Sequence, residues 1–206
     1  GQNTARSASA SPSKSPASGT SPAVPKPQLI VRVWPVADSV VVQAALIGFH
    51  TDRSVMPSPS RKRKVPIALA KVEIWRFRPR ALGVWSWGND LTTTTDVSGQ
   101  LAATVPFVQA GVITTVRVYA TNAAATVMTQ DLPSQPFYLT PGSPTELQRT
   151  TVGAGDVLDF TFSFGSSFAQ AHYNTAEALR RGRDYVNARR DPAETDGMFP
   201  AAVFMN

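Results

Sequence analysis

The sequence predicts a mainly β protein: an antiparallel sandwich of about seven or eight strands, between a polar N-terminal tail and one C-terminal amphipathic helix. Three observations carry this. Short runs rich in β-branched residues alternate apolar and polar side chains, the period of a half-buried strand. Seventeen prolines and 13 glycines lie largely between those runs, where turns are needed. The period changes to a helical one only after Gly165.

Residues 1–27, rich in Ser, Ala and Pro, hold almost no large apolar side chain and cannot offset their own ordering entropy. They read either as a stalk or as an arm that orders against a neighbouring subunit. From residue 28 the texture changes. The stretch QLIVRVW (28–34) alternates, and VVVQAALIGF (40–49) is a second apolar strand. A long polar loop is expected over 50–66, with His50 at its entry as turn chemistry and the basic run Arg61, Lys62, Arg63, Lys64 near its end. ALAKVEIWRFR (68–78) is a strand with Val72, Ile74 and Arg76 on one face and Glu73, Trp75 and Phe77 on the other. PRALGVWSWGND (79–90), holding Trp85 and Trp87, reads as a loop or irregular hairpin.

The stretch LTTTTDVSGQLAATVP (91–106) reads as a β-hairpin. The threonines end one strand with their hydroxyls in water. Asp96 bonds the backbone two residues on, Gly99 takes the positive φ that closes the turn, and Leu101, Ala103 and Val105 form the apolar face of the return strand. Further strands are expected over 111–122, 136–144 and 156–164, the last with Leu158, Phe160, Phe162 and Phe164 facing the core. The helix after Gly165 carries Ala169, His172, Ala176, Leu179, Arg183 and Val186 on one stripe and Tyr185 on the far side. It starts at Ser167 or Asn174, carries Glu177–Arg181 and Arg180–Asp184 pairs at i,i+4, and stops before Pro192. A further strand begins near the end of the chain. The domain division is therefore 1–27, 28–165 and 166–206.

Composition narrows the function classes. No cysteine is present, which excludes a disulfide scaffold, thiol catalysis and thiolate metal sites. The two histidines lack metal spacing, and no nucleophile elbow, P-loop or dinucleotide fingerprint occurs. The reading is no catalytic residue, no cofactor, no metal, no small-molecule substrate and no membrane span. Arg6, Lys14, Lys26 and the four residues 61–64 carry seven positive charges against a net charge of +6, so the folded body is near neutral. That argues against nucleic acid as the partner, although the 61–64 run leaves an anion- or nucleic-acid-binding alternative open. The chain begins with Gly1 and shows no signal peptide, which reads as a processed chain or a fragment.

AKVEIWRF, TTTTDVSGQLAATVP and TTVRVYATN together resemble the transthyretin-like and carboxypeptidase-regulatory-like sandwich domains of secreted bacterial proteins, through Val72, Ile74, Asp96, Gly99, Leu101, Val116, Val118 and Ala120. The resemblance implies an Ig/transthyretin-like sandwich. The C-terminal stretch is similar to the helix that joins such domains to a zinc-metalloprotease domain, which implies the non-catalytic N-terminal region of a secreted peptidase as one alternative. The leading expectation is a non-enzymatic extracellular or cell-surface structural module. Its partner would be a protein, by self-association or through a downstream domain, and its candidate contact residues are Arg61, Lys62, Arg63, Lys64, Trp85, Trp87 and Tyr185.

Overall fold

A computed structural model describes residues 38–52, 61–129, 135–142, 147–162, 164, 167–191, 193 and 200–205. The expectations for the tail, for the strand 28–34 and for the middle of the polar loop lie outside the described residues.

The fold is a β-sandwich. One sheet has three strands: β1 (Ser39–Ala45) lies in the middle, antiparallel to β6 (Gln100–Pro106) and parallel to β11 (Val157–Thr161). The second sheet is built on β4 (Lys71–Pro79), flanked by β5 (Trp85–Thr94) and β7 (Ile113–Tyr119), with the two-residue β9 (Tyr138–Leu139) and β10 (Arg149–Thr150) beyond β7. Two small sheets complete the chain. β2 (Ile47–Asp52) pairs antiparallel with β3 (Arg61–Pro66), and β8 (Ala125–Thr129) pairs parallel with β12 (Ala201–Met205). The described residues thus form more, shorter strands than the sequence count suggests, and two of the pairings are parallel.

Alternation explains the core. Val40, Val42 and Ala44 of β1, Leu101, Ala103 and Val105 of β6, and Leu158, Phe160 and Phe162 from β11 onward meet Val72, Ile74, Val116 and Val118 of the facing sheet. Every one is buried. The aromatic face expected over 156–164 is core, as is the expected face Val112, Thr114, Val116, Val118 and Ala120.

The hairpin expected over 91–106 does not form. β5 pairs with β4 and β6 pairs with β1, so the segment crosses from one sheet to the other. The turn chemistry itself holds. Asp96 Oδ1 accepts the backbone N–H groups of Ser98 and Gln100, both at 2.8 Å, and Gly99 has φ +74°. What the sequence could not show is the neighbour. Leu46 donates its N–H to the Gly99 carbonyl, and a Cβ on Gly99 would lie 2.5 Å from the Leu46 carbonyl oxygen. Docking here also breaks the apolar run 40–49 in two at Leu46. Nor are all the threonine hydroxyls wet: Thr95 is buried, donates to the Ile67 carbonyl at 2.7 Å and accepts from the Ala70 N–H at 3.0 Å.

The helix α1 (Ser167–Asn187) docks on the sandwich. Ala169, His172, Tyr173 and Ala176 are buried, and the Tyr173 hydroxyl donates to the Val118 carbonyl at 2.6 Å. Asn122 Nδ2 donates to the Ala176 carbonyl at 2.8 Å. His172 stacks on Phe137 at 4.1 Å between centroids. The stripe then leaves the body: Val186, expected on the docked face, is exposed. Both i,i+4 ion pairs form. The C-terminal strand is β12.

Candidate interaction face

The outer face of the β4–β5–β7 sheet is built by period-two alternation on three strands. β4 turns Glu73, Trp75 and Phe77 outward, as its pattern requires. In the register, Phe77 lies opposite Trp87 and Pro79 opposite Trp85. Trp85 and Trp87 are therefore on a strand: of the two readings of 79–90, loop or irregular hairpin, the hairpin is the one that forms, with a single short turn (Ala81–Gly83) between β4 and β5. Both indoles lean on Phe77, at 5.5 and 5.6 Å between ring centroids, in tilted geometry. They remain 38% and 41% exposed, because β5 is the last strand of its sheet.

Next to them lies a groove of about 320 Å³, walled by Trp75, Trp87, Tyr138 and Arg117, with Thr115 and Gln148 among its polar lining. The Arg117 guanidinium sits 4.1 Å over the Trp75 ring and 5.1 Å from the Tyr138 ring, so two faces of cation–π contact hold it. Glu73 anchors the far end. Its carboxylate accepts from the Tyr119 hydroxyl at 2.7 Å and from Trp75 Nε1 at 2.9 Å, and pairs with Lys71 at 2.8 Å. Burial alone would raise the Glu73 carboxyl. The hydrogen bonds from Lys71, Tyr119 and Trp75 outweigh it and hold the group below the ordinary carboxylate range. Burial, then the Glu73 bond and charge, push the Tyr119 phenol up to about 12.

The inner side holds an ionic clasp that the sequence reading missed. Arg78 grips Asp90 through Nε at 2.6 Å and Nη2 at 3.1 Å, and Arg80 reaches Asp90 Oδ1 at 2.9 Å. Arg76, 1% exposed, stands 3.5 Å from the same carboxylate and donates to the Pro106 carbonyl at 2.9 Å. Asp90 turns inward by the same alternation that turns Trp85 and Trp87 outward, and the register slip between Ile74 and Trp75 lets Leu91 follow it on the inner side. Burial would raise the Asp90 carboxyl, and the Arg78 and Arg80 bonds outweigh that and lower it. The signal was present in RFRPR, three arginines spaced two apart, followed by one aspartate on the next strand.

The other candidate residues go elsewhere. Asp96 and Gly99 form the inter-sheet turn. Arg61, Lys62, Arg63 and Lys64 belong to β3, registered against Asp52, Thr51, His50 and Phe49, so the basic run is strand and not loop, and His50 lies within a ladder and not at a turn. Tyr185 is exposed near the end of α1, with Arg189 stacked on its ring at 3.5 Å. The fold brings Trp85 and Trp87 together and leaves the basic run and Tyr185 on separate elements. No helix among the described residues is long and apolar enough to cross a membrane. No protein-family model matches the chain, and no curated protein and no solved structure is significantly similar to it.

Proposed function

We propose that the chain is a non-catalytic adhesion module of an extracellular or cell-surface protein, and that it engages its partner through the aromatic face of β4 and β5. The observation that carries this is the pair Trp85 and Trp87, side by side on one strand, each about two-fifths exposed over Phe77. Large aromatic side chains grouped at a surface are the residues on which binding energy concentrates. The face, and not the strand edge, is the contact. The inward-pointing Asp90 and the register slip beside it are devices that blunt an edge against pairing with another strand.

Co-sedimentation of the full chain with insoluble extracellular matrix or cell-wall material tests the reading. Trp85→Ala with Trp87→Ala should release the chain while leaving its melting temperature within a few degrees, and Tyr185→Ala should change nothing. Retention unaffected by the double variant removes the face from the function. Light scattering across concentration runs beside it: a growth in mass that the double variant loses makes the partner a second copy of this chain.

A further inference from the structure

The groove beside Trp87 has the chemistry of a particular ligand class. Two indole rings and a phenol ring give it flat apolar walls. Between them, Thr115, Gln148 and Thr140 supply hydroxyl and amide groups. The Thr115 hydroxyl donates to the Leu147 carbonyl at 2.7 Å, which leaves its oxygen able to accept. Arg117 is the one charged residue in the lining. Among the described residues it forms no salt bridge. Its guanidinium is held by the Trp75 and Tyr138 rings and reaches the Tyr119 hydroxyl. Stacking occupies the faces of a guanidinium and leaves in-plane N–H groups for a planar anion.

We propose that this groove binds a uronic-acid saccharide, with a sugar ring stacked on the Trp87 indole and its carboxylate paired to Arg117. The proposal rests on the reading of this face as the binding surface. A pyranose presents an apolar C–H face to the negative face of an indole and a hydroxyl rim to polar neighbours, and this groove offers both. A purely apolar ligand would bury the Gln148 amide and the in-plane N–H groups of Arg117 without new partners. A polyphosphate would bring more charge than one arginine neutralises. A chain of sugars fits better than a single small acid, because the aromatic surface continues out of the groove from Trp87 over Phe77 to Trp85.

Isothermal titration of the full chain against three hexasaccharides decides it: oligogalacturonate, oligomannuronate and a neutral galactan of equal length. At least one uronate should bind at least about tenfold more tightly than the galactan, and more weakly as salt rises. Trp87→Ala and Arg117→Gln should each weaken that binding by about tenfold. If Arg117→Gln melts early, Arg117→Lys, which keeps stem and charge but not the planar fork, should still lose affinity. Failure of both uronates to bind, equal binding of the galactan, or indifference to both Arg117 variants overturns the proposal. Matrix retention that depends on Trp85 and Trp87 without any uronate binding overturns the saccharide alone and leaves the adhesion reading standing; retention that survives the double variant overturns both.

Discussion

Arg76 and Asp90 face each other at 3.5 Å between the two sheets, with side chains 1% and 6% exposed. The pair stands where alternation would otherwise place apolar residues. Arg78 and Arg80 complete the ring around the carboxylate, yet Nε and Nη2 of Arg76 have no hydrogen-bond partner. Removing one member of a buried ion pair strands the others. Asp90→Ala should therefore lower the free energy of unfolding by about 3–5 kcal/mol. Arg76→Met leaves Asp90 its bonds to Arg78 and Arg80 and removes a poorly satisfied guanidinium, at the loss of the bond to the Pro106 carbonyl, and should cost only about 1 kcal/mol. Urea denaturation of the two variants checks this, and equal losses would contradict it.

Two of the positive-φ glycines, Gly99 and Gly111, should respond differently to alanine. Both substitutions pay for a left-handed backbone, about 1–2 kcal/mol. A methyl group on Gly111 meets nothing within 4 Å, whereas one on Gly99 strikes the Leu46 carbonyl oxygen and lies 2.9 Å from the Ile67 nitrogen. Gly99→Ala should cost at least about 2 kcal/mol more than Gly111→Ala in thermal or chemical unfolding. A Gly99 variant no worse than the Gly111 one would mean that the turn does not pack on the β1–β2 junction.

The helix is part of the folded unit, and Tyr173 is its peg. Tyr173→Phe removes the bond to the Val118 carbonyl and should cost about 1 kcal/mol. Tyr173→Ala also empties a site packed against Phe164 and Phe137 and should cost about 3–5 kcal/mol. Tyr185→Ala, on the exposed half, should stay within about 0.5 kcal/mol of the parent. Unfolding curves should place Tyr173→Ala as the least stable of the three, then Tyr173→Phe, then Tyr185→Ala.

Stability should fall at both ends of the pH range. The Glu73 and Asp90 carboxyls titrate lower in the folded chain than in the unfolded one. Their contribution is fully present above the unfolded values, near 4, and drains as pH falls through the folded ones. Tyr119 has the opposite sign. Its phenol is raised to about 12, so its contribution is complete below the unfolded value near 10 and is lost as pH rises from there to about 12. Glu73→Gln should make the acid limb of a denaturation-midpoint profile shallower, and Tyr119→Phe should flatten the alkaline limb. Limbs unchanged in both variants would show that these groups do not set them.

Much of the local structure was legible in the residues themselves. The alternation in 68–78, 111–122 and 156–164 assigned side chains to one face or the other of each strand, because the side-chain period of a strand is fixed by its backbone. Asp96 and Gly99 announced a turn through hydrogen bonds and a φ value that involve only the next few residues. The helix was readable for the same reason, down to the Glu177–Arg181 and Arg180–Asp184 pairs. Strand pairing was not readable. The segments flanking Asp96–Gly99 have the composition of a hairpin, and nothing within them states that each has a better partner elsewhere in the chain. Basic character made the run at 61–64 look like loop, although pairing with β2 holds it as strand.

The sequence by itself determined several of the strands, the turn at Asp96–Gly99, which faces would be apolar, and that one amphipathic helix would follow them. Those properties depend on residues a few positions apart. Only the tertiary structure decided that β5 and β6 belong to different sheets, that Asp90 would be clasped by three arginines, that α1 would lie on its own sandwich, and that Trp75, Trp87, Tyr138 and Arg117 would wall one groove. Those four residues come from four strands, and their meeting depends on register between distant segments, which is settled by the packing of the whole chain and is carried by no local pattern.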